Sequence, residues 1–282
     1  MGDTSILAPS VQELAKQGIQ KVPEQYLQPN QDPVLVSNIT SLTQLPIINL
    51  DKLLFEDDNE LEKLDQACKE WGFFQLINHG VEPSLVESVK IGVQQFFNLP
   101  MEEKKNFWQT EEELQGFGQV YVSLEEQKLR WGDMFYVKTF PLHIRLPHLL
   151  PCMPQPFRDN FENYSLEIKK LCFTIIKFMT KALKIQEPIN VGDLLEIMTN
   201  GIYRSIEHRA TANSEKERIS VAAFHNIQMG RDLGPARSLV TPESPALYKT
   251  ITLEEYVEGY LASKIKGKSY LDVVRIKNEN LE

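Results

Sequence analysis

Cysteine is scarce in this sequence. Cys68, Cys152 and Cys172 are the three among 282 residues, odd in number and widely spaced. That usage excludes a disulfide framework and suits free thiols in a reducing compartment. Long apolar runs are missing too, so no segment reads as a membrane-spanning helix. The opening MGDTSILAPSVQELAKQG has neither a basic n-region nor an apolar core, so no secretory signal is read there. A basic excess is also lacking: Lys and Arg number 30 against 39 Asp and Glu, a net charge of −9. That balance argues against nucleic acid or an anionic membrane as partner. The absences together point to a cytoplasmic protein.

What is present is ordinary for a globular chain, with 42% hydrophobic and 24% charged residues. The length allows a sizeable core in one or two domains. Ser10–Lys16 reads as a short capped helix, and the proline- and glutamine-containing Gly18–Asn38 as an extended arm. Leu45–Leu50 and Phe73–Ile77 read as short strands around a helix that carries Leu61, Leu64, Cys68 and Trp71 on one face. Asn78-His79-Gly80 is a turn, and a second helix follows with Leu85, Val89, Val93 and Phe96 apolar. His143 and His148 lie in a proline-rich loop. Leu166–Leu183 is the longest predicted helix, apolar along Leu166, Phe173, Ile176 and Met179 and solvated along its lysines. Thr252-Leu253-Glu254-Glu255 is a capping box opening a final helix.

The most informative stretch is Asn190–Phe224. Leu195–Thr199, Ile202–Ala210 and Arg218–Phe224 read as three strands, the first two joined by Asn200-Gly201, a strong hairpin signal. Alternation places Arg218, Ser220 and Ala222 on one strand face and Ile219, Val221 and Ala223 on the other. A guanidinium beside a hydroxyl suits a carboxylate, with arginine supplying the bidentate fork. His208 is a potential metal ligand. On spacing alone each residue also has a plain reading: a satisfied strand histidine, and polar side chains on a wet strand.

NVGDLLEIMTNGIYRSIEHRATANSEKERISVAAFHN resembles the C-terminal half of the jelly-roll core of plant 2-oxoglutarate- and Fe(II)-dependent dioxygenases, in their senescence-related and alkaloid O-demethylase-like branch. LPIINL, ACKEWGFFQLINHGV and FFNLPMEEK resemble that family's N-terminal region, and KGKSYLDVVRI its ending. The resemblance implies an α+β fold, a double-stranded β-helix (jelly roll) with an N-terminal helical region. It implies an oxidoreductase that hydroxylates or O-demethylates a plant specialised small molecule, with Fe(II), 2-oxoglutarate as co-substrate and ascorbate as reductant. It makes His208 an iron ligand, and it sets Arg218 and Ser220 on the distal carboxylate of 2-oxoglutarate. One departure is Arg130, where the family commonly has an acidic residue before Trp131-Gly132-Asp133.

In the family a long block follows the helix that here ends near Lys184–Pro188. It carries a tyrosine that bonds 2-oxoglutarate and the His-x-Asp motif that supplies the other two iron ligands. In this sequence Pro188 runs straight into Ile189. The five histidines are His79, His143, His148, His208 and His225, and none is followed two residues later by Asp or Glu. The expected jelly roll is therefore incomplete, with unpaired edges, and catalysis is expected to be impaired. The alternatives are an inactive splice or gene-model variant and a non-catalytic small-molecule-binding protein. The expected organisation is an arm and short helix over 1–44, the family's N-terminal region over 45–150 and a packing helix over 151–188. The C-terminal part of the core follows over 189–228, and a covering tail and helix over 229–282. A folded chain is expected to be a monomer.

Overall fold

The computed structural model describes residues 9–27, 45–110, 113, 115–118, 129–146, 148–150, 153–186, 189, 193–206, 208, 213, 215–225, 230–264 and 270–276. Helix α1 (Val11–Lys16) starts at Ser10, whose hydroxyl accepts the Glu13 N–H. β1 (Ile47–Asn49), α2 (Leu50–Leu54), α3 (Asp58–Gln66) and β2 (Gln75–Ile77) follow, and β1 and β2 pair in parallel with Ile48 opposite Leu76. A π-helical turn, Ala67–Trp71, prolongs α3 and ends at Gly72 with φ 69°. α4 (Pro83–Phe97) opens on proline, where the missing N–H costs nothing. α5 (Met101–Lys104) precedes β3 (Gly116–Phe117), which pairs antiparallel with β4 (Phe135–Tyr136). Then come α6 (Phe157–Leu183), α7 (Asp193–Met198), β5 (Asp232–Leu233) antiparallel to β6 (Ile251–Thr252), α8 (Leu253–Lys264) and α9 (Leu271–Val274).

The chain forms two compact units. One comprises Met1–Ile39, Glu82–Leu166 and Thr211–Val221; the other comprises Thr40–Val81, Glu167–Ala210 and Ala222–Glu282. In the first, Phe96, Phe107, Phe117, Leu149 and Phe157 form an aromatic-rich core, with Phe96 edge-on to Phe107 at 5.3 Å. A satellite of Val11, Tyr26 and Leu129, backed by Trp131, seats α1. In the second, Ile48, Leu64, Cys68, Ile175, Met179 and Tyr203 make one core, and Leu194, Ile197, Leu233, Tyr248 and Tyr256 another. Burial pushes the thiols of Cys68 and Cys172 up to about 12 and about 11, so both are inert hydrophobes here.

The predicted helix at Ser10–Lys16, both N-terminal strands and the capping box form as expected. Thr252 and Glu255 exchange hydrogen bonds at 2.8 and 3.2 Å. The long helix begins at Phe157, earlier than Leu166, because Phe157, Phe161 and Tyr164 extend its apolar stripe into the first unit's core. Of the expected extended arm Gly18–Asn38, residues 28–38 lie outside the described residues, and the described part is not extended throughout: Glu24–Tyr26 forms a 3-10 turn that buries Tyr26.

Among the described residues the jelly roll is incomplete. The described residues carry three two-stranded sheets, and none of the three strands predicted after Asn190 is among them. Leu195–Thr199 is helical: α7 closes its own backbone bonds, which a strand without a partner cannot do. Asn200 and Gly201 do take positive φ, at 53° and 79°. They end a helix instead of turning a hairpin, the Gly201 N–H reaching back to the Glu196 carbonyl at 2.8 Å. The described parts of Ile202–Ala210 and all of Arg218–Phe224 are likewise outside any strand.

Candidate functional site

Helix α7 organises the polar chemistry of the second unit. Asp193 and Glu196 stand one turn apart, so both carboxylates share a face. Glu196 is buried. One of its oxygens accepts the Ser205 N–H at 2.7 Å; the other accepts the Tyr248 hydroxyl at 2.5 Å and the Arg275 guanidinium at 3.1 Å. Arg275 also donates to the Tyr248 oxygen at 2.9 Å. Asp193 accepts the Ser205 hydroxyl and, at 3.1 Å, the Tyr256 hydroxyl. Burial first, then the neighbouring carboxylate, pushes the Tyr248 phenol up to about 12 and the Tyr256 phenol well above its ordinary range. The cluster is a satisfied network that holds the chain at Ser205, three residues ahead of His208. None of its members stood out in the sequence. The i,i+3 pair Asp193/Glu196 was a usable signal only if that stretch was read as a helix.

His208 is exposed, and its Nδ1 lies 3.1 Å from the Ile206 carbonyl oxygen. A carbonyl only accepts, so Nδ1 carries the proton and Nε2 is the ring nitrogen on the other side of the imidazole. Its neighbours Glu207 and Arg209 lie outside the described residues. His79 accepts the Val81 N–H at 3.2 Å and acts as the turn residue that the sequence suggests. His143 and His148 are exposed. The Nε2 of His225 is buried without a partner, and burial followed by Lys169 lowers its pKa. Among the described residues, no group of three or more His, Cys, Asp or Glu side chains could hold a metal ion.

Arg218 and Ser220 belong to the first unit and are both exposed. Among the described residues, they lie on a segment without strand partners. A cavity of about 200 Å³ in the same unit is lined by Leu99, Glu103, Asn106, Phe107 and Pro154, so it includes neither of them. No helix among the described residues is long and apolar enough to cross a membrane.

Comparison with known proteins places this arrangement in a lineage. A family model for the N-terminal region of a non-haem dioxygenase in morphine synthesis matches residues 45–152, and the 2OG-Fe(II) oxygenase superfamily matches residues 165–227. The chain is 39% identical to Protein SRG1 of Arabidopsis thaliana over 349 positions, covering 97% of this chain and 98% of that one. It is 36% identical to codeine O-demethylase of Papaver somniferum, covering 95% and 96%. The crystal structure of JOX2 in complex with 2OG, Fe and JA superposes with a TM-score of 0.81 at 23% identity, covering 96% and 98%. Since 97% of 282 residues is about 274, about 75 of the 349 positions aligned with SRG1 face no residue of this chain.

Proposed function

Because this chain belongs to the plant 2-oxoglutarate- and Fe(II)-dependent dioxygenases, we propose that it derives from an enzyme oxidising a plant specialised small molecule and that it retains only part of that enzyme's site. The retained part is the carboxylate grip of Arg218 and Ser220 together with one metal-capable imidazole, His208. Iron of this type is held by two histidines and one carboxylate, which leave open positions for the co-substrate and oxygen. The residues present do not fit it. The observation that carries this reading is the absence of any His-x-Asp or His-x-Glu pair among five histidines. One finding supports it: about 75 positions of the relative lack counterparts in this chain. Fe(II) also sits low in the affinity order of divalent metals, so one imidazole retains it poorly.

In the complete family site, Fe(II) and 2-oxoglutarate supply the oxidising power and ascorbate restores the metal. Of the reaction class, hydroxylation or O-demethylation of a small molecule, the O-demethylation follows the chemistry named for the codeine relative. In this chain Arg218 offers a fork and Ser220 a hydroxyl to the distal carboxylate of 2-oxoglutarate, a grip that does not itself require metal. That favours, as the second reading, a non-catalytic carboxylate- or small-molecule-binding protein over an active oxygenase.

The test is anaerobic titration of the purified chain with Fe(II) and 2-oxoglutarate, watching for the weak visible charge-transfer band of the chelate. No band is expected. A band that saturates at one iron per chain and vanishes in His208→Ala would overturn the reading. Inserting the missing block from SRG1 between Pro188 and Ile189 is expected to create the band.

A further inference from the structure

Lys104 is fully buried, at 0% exposure, and its ammonium hydrogen bonds reach two uncharged oxygens. It donates to the Phe97 carbonyl at 3.0 Å and to the Gln12 side-chain oxygen at 3.2 Å, while lying 5.4 Å from the centre of the Phe117 ring. A buried ammonium without a directly bonded carboxylate is costly unless charge reaches it another way. Gln12 provides that route. Its Nε2 donates to Glu217 at 2.9 Å, and the second Glu217 oxygen accepts from Gln94 at 3.4 Å. The amide orientation is unambiguous, because an ammonium can only donate and a carboxylate can only accept. Asp133 and Glu13 add attraction to Lys104, and Lys16 opposes it.

Glu217 immediately precedes Arg218. Among the described residues, residues 217–221 make no backbone–backbone hydrogen bond, so no strand pairing fixes this segment. It is held by side chains: Glu217 to Gln12 and Gln94, and Ile219 against the aromatic core. α1 in turn is seated by Asp133, which accepts the Ser10 hydroxyl at 2.6 Å and the backbone N–H groups of Val11 and Gln12 at 2.7 and 3.2 Å. All of these residues belong to the first unit.

We propose that Gln12 is a positioning residue: by joining Lys104 to Glu217, it makes the docking of α1 set the place of Arg218 and Ser220. Carboxylate binding at that pair is thereby coupled to the N-terminal helix. This second statement rests on the reading of Arg218 and Ser220 given above; the anchoring of the segment does not.

The experiment compares the full chain with its Gln12→Met, Glu217→Ala and Glu217→Gln variants. Backbone amide order parameters are followed over residues 217–221 by NMR relaxation, and 2-oxoglutarate affinity is followed without metal. Gln12→Met and Glu217→Ala are expected to lower the order parameters of that segment from the rigid range, about 0.85, into the flexible range, below about 0.6, while α4 stays rigid. Glu217→Gln keeps an acceptor for Gln12 and is expected to recover most of the order. Both loosening variants are expected to bind 2-oxoglutarate about five-fold more weakly. Unchanged order parameters in Gln12→Met, or values in Glu217→Gln equal to those in Glu217→Ala, overturn the proposal. If the unaltered chain does not bind 2-oxoglutarate while Gln12→Met still loosens the segment, the anchoring stands and the carboxylate reading falls.

Discussion

The Glu196 carboxylate accepts the backbone N–H of Ser205 at 2.7 Å, so a buried side chain does for this stretch what a neighbouring strand would do. Tyr203 adds to the same effect, its N–H bonding the Thr199 hydroxyl at 3.1 Å and its own hydroxyl bonding Asp65 at 2.8 Å. Side chains thus satisfy backbone groups that would otherwise be unpaired in the protein interior.

Replacing Glu196 by alanine removes acceptors from Ser205, Tyr248 and Arg275 at once. Arg275 is half exposed and falls back on water, which limits the loss. The expected destabilisation is roughly 2 kcal/mol. Glu196→Gln keeps acceptor capacity and should lose less. Urea unfolding midpoints of the two variants test this, and an alanine variant as stable as the parent would refute it.

Alkali should destabilise the chain from about pH 9 upward. Cys68 rises from an ordinary 9 to about 12 and Cys172 to about 11, both by burial; Tyr248 rises from 10 to about 12. Raised pKa values mean that the unfolded chain ionises first and binds fewer protons. The stabilising contribution is therefore complete below pH 9 and is lost as the pH climbs towards 12. Tyr203, whose phenol is raised by burial and then by Asp65, joins the loss above pH 10. Urea midpoints measured across this range should fall, and Tyr203→Phe should flatten the slope above pH 10 only. A stability that is level through this range would contradict the burial of these groups.

Gly72 closes the π-helical turn at φ 69°, and an added Cβ would meet the Arg204 carbonyl oxygen at 2.5 Å. Gly72→Ala therefore combines left-handed backbone strain with a clash against backbone, a loss of about 3 kcal/mol. The thermal unfolding midpoint should drop by several degrees; a neutral substitution would mean that Arg204 yields freely.

Asp133 caps α1 from a distant part of the chain. Asp133→Ala should cost about 1–2 kcal/mol and open residues 11–16 to hydrogen exchange. It also removes an attraction that offsets the burial of Lys104, so the lysine's pKa should fall further below its ordinary value. Exchange in α1 that matches the parent's would argue that Tyr26 and Trp131, edge-on at 5.1 Å, seat the helix alone.

Much of the fold was legible because its signals are local. Ser10 before Val11–Lys16, Pro83 at the head of α4, the turn at Asn78–Gly80 and the reciprocal pair Thr252/Glu255 each act on backbone within a few residues in sequence. The candidate site was legible only as residue types. His208, Arg218 and Ser220 were found through resemblance, whereas their surroundings depend on groups far away in sequence. Arg275 reaches Glu196 from the chain's last stretch, and Gln12 reaches Glu217 from its first.

The sequence by itself determined the family, the helices with their own caps, and the absence of a His-x-Asp or His-x-Glu pair, because identity, spacing and short-range hydrogen bonding need no partner from elsewhere. Only the tertiary structure decided what became of Leu195–Thr199 and Arg218–Phe224. A strand's backbone groups must be paired by another strand; among the described residues the first segment is helical and the second belongs to no strand. The same Asn200-Gly201 that suits a hairpin also suits a helix end, since both need positive φ, and the available partners chose between them.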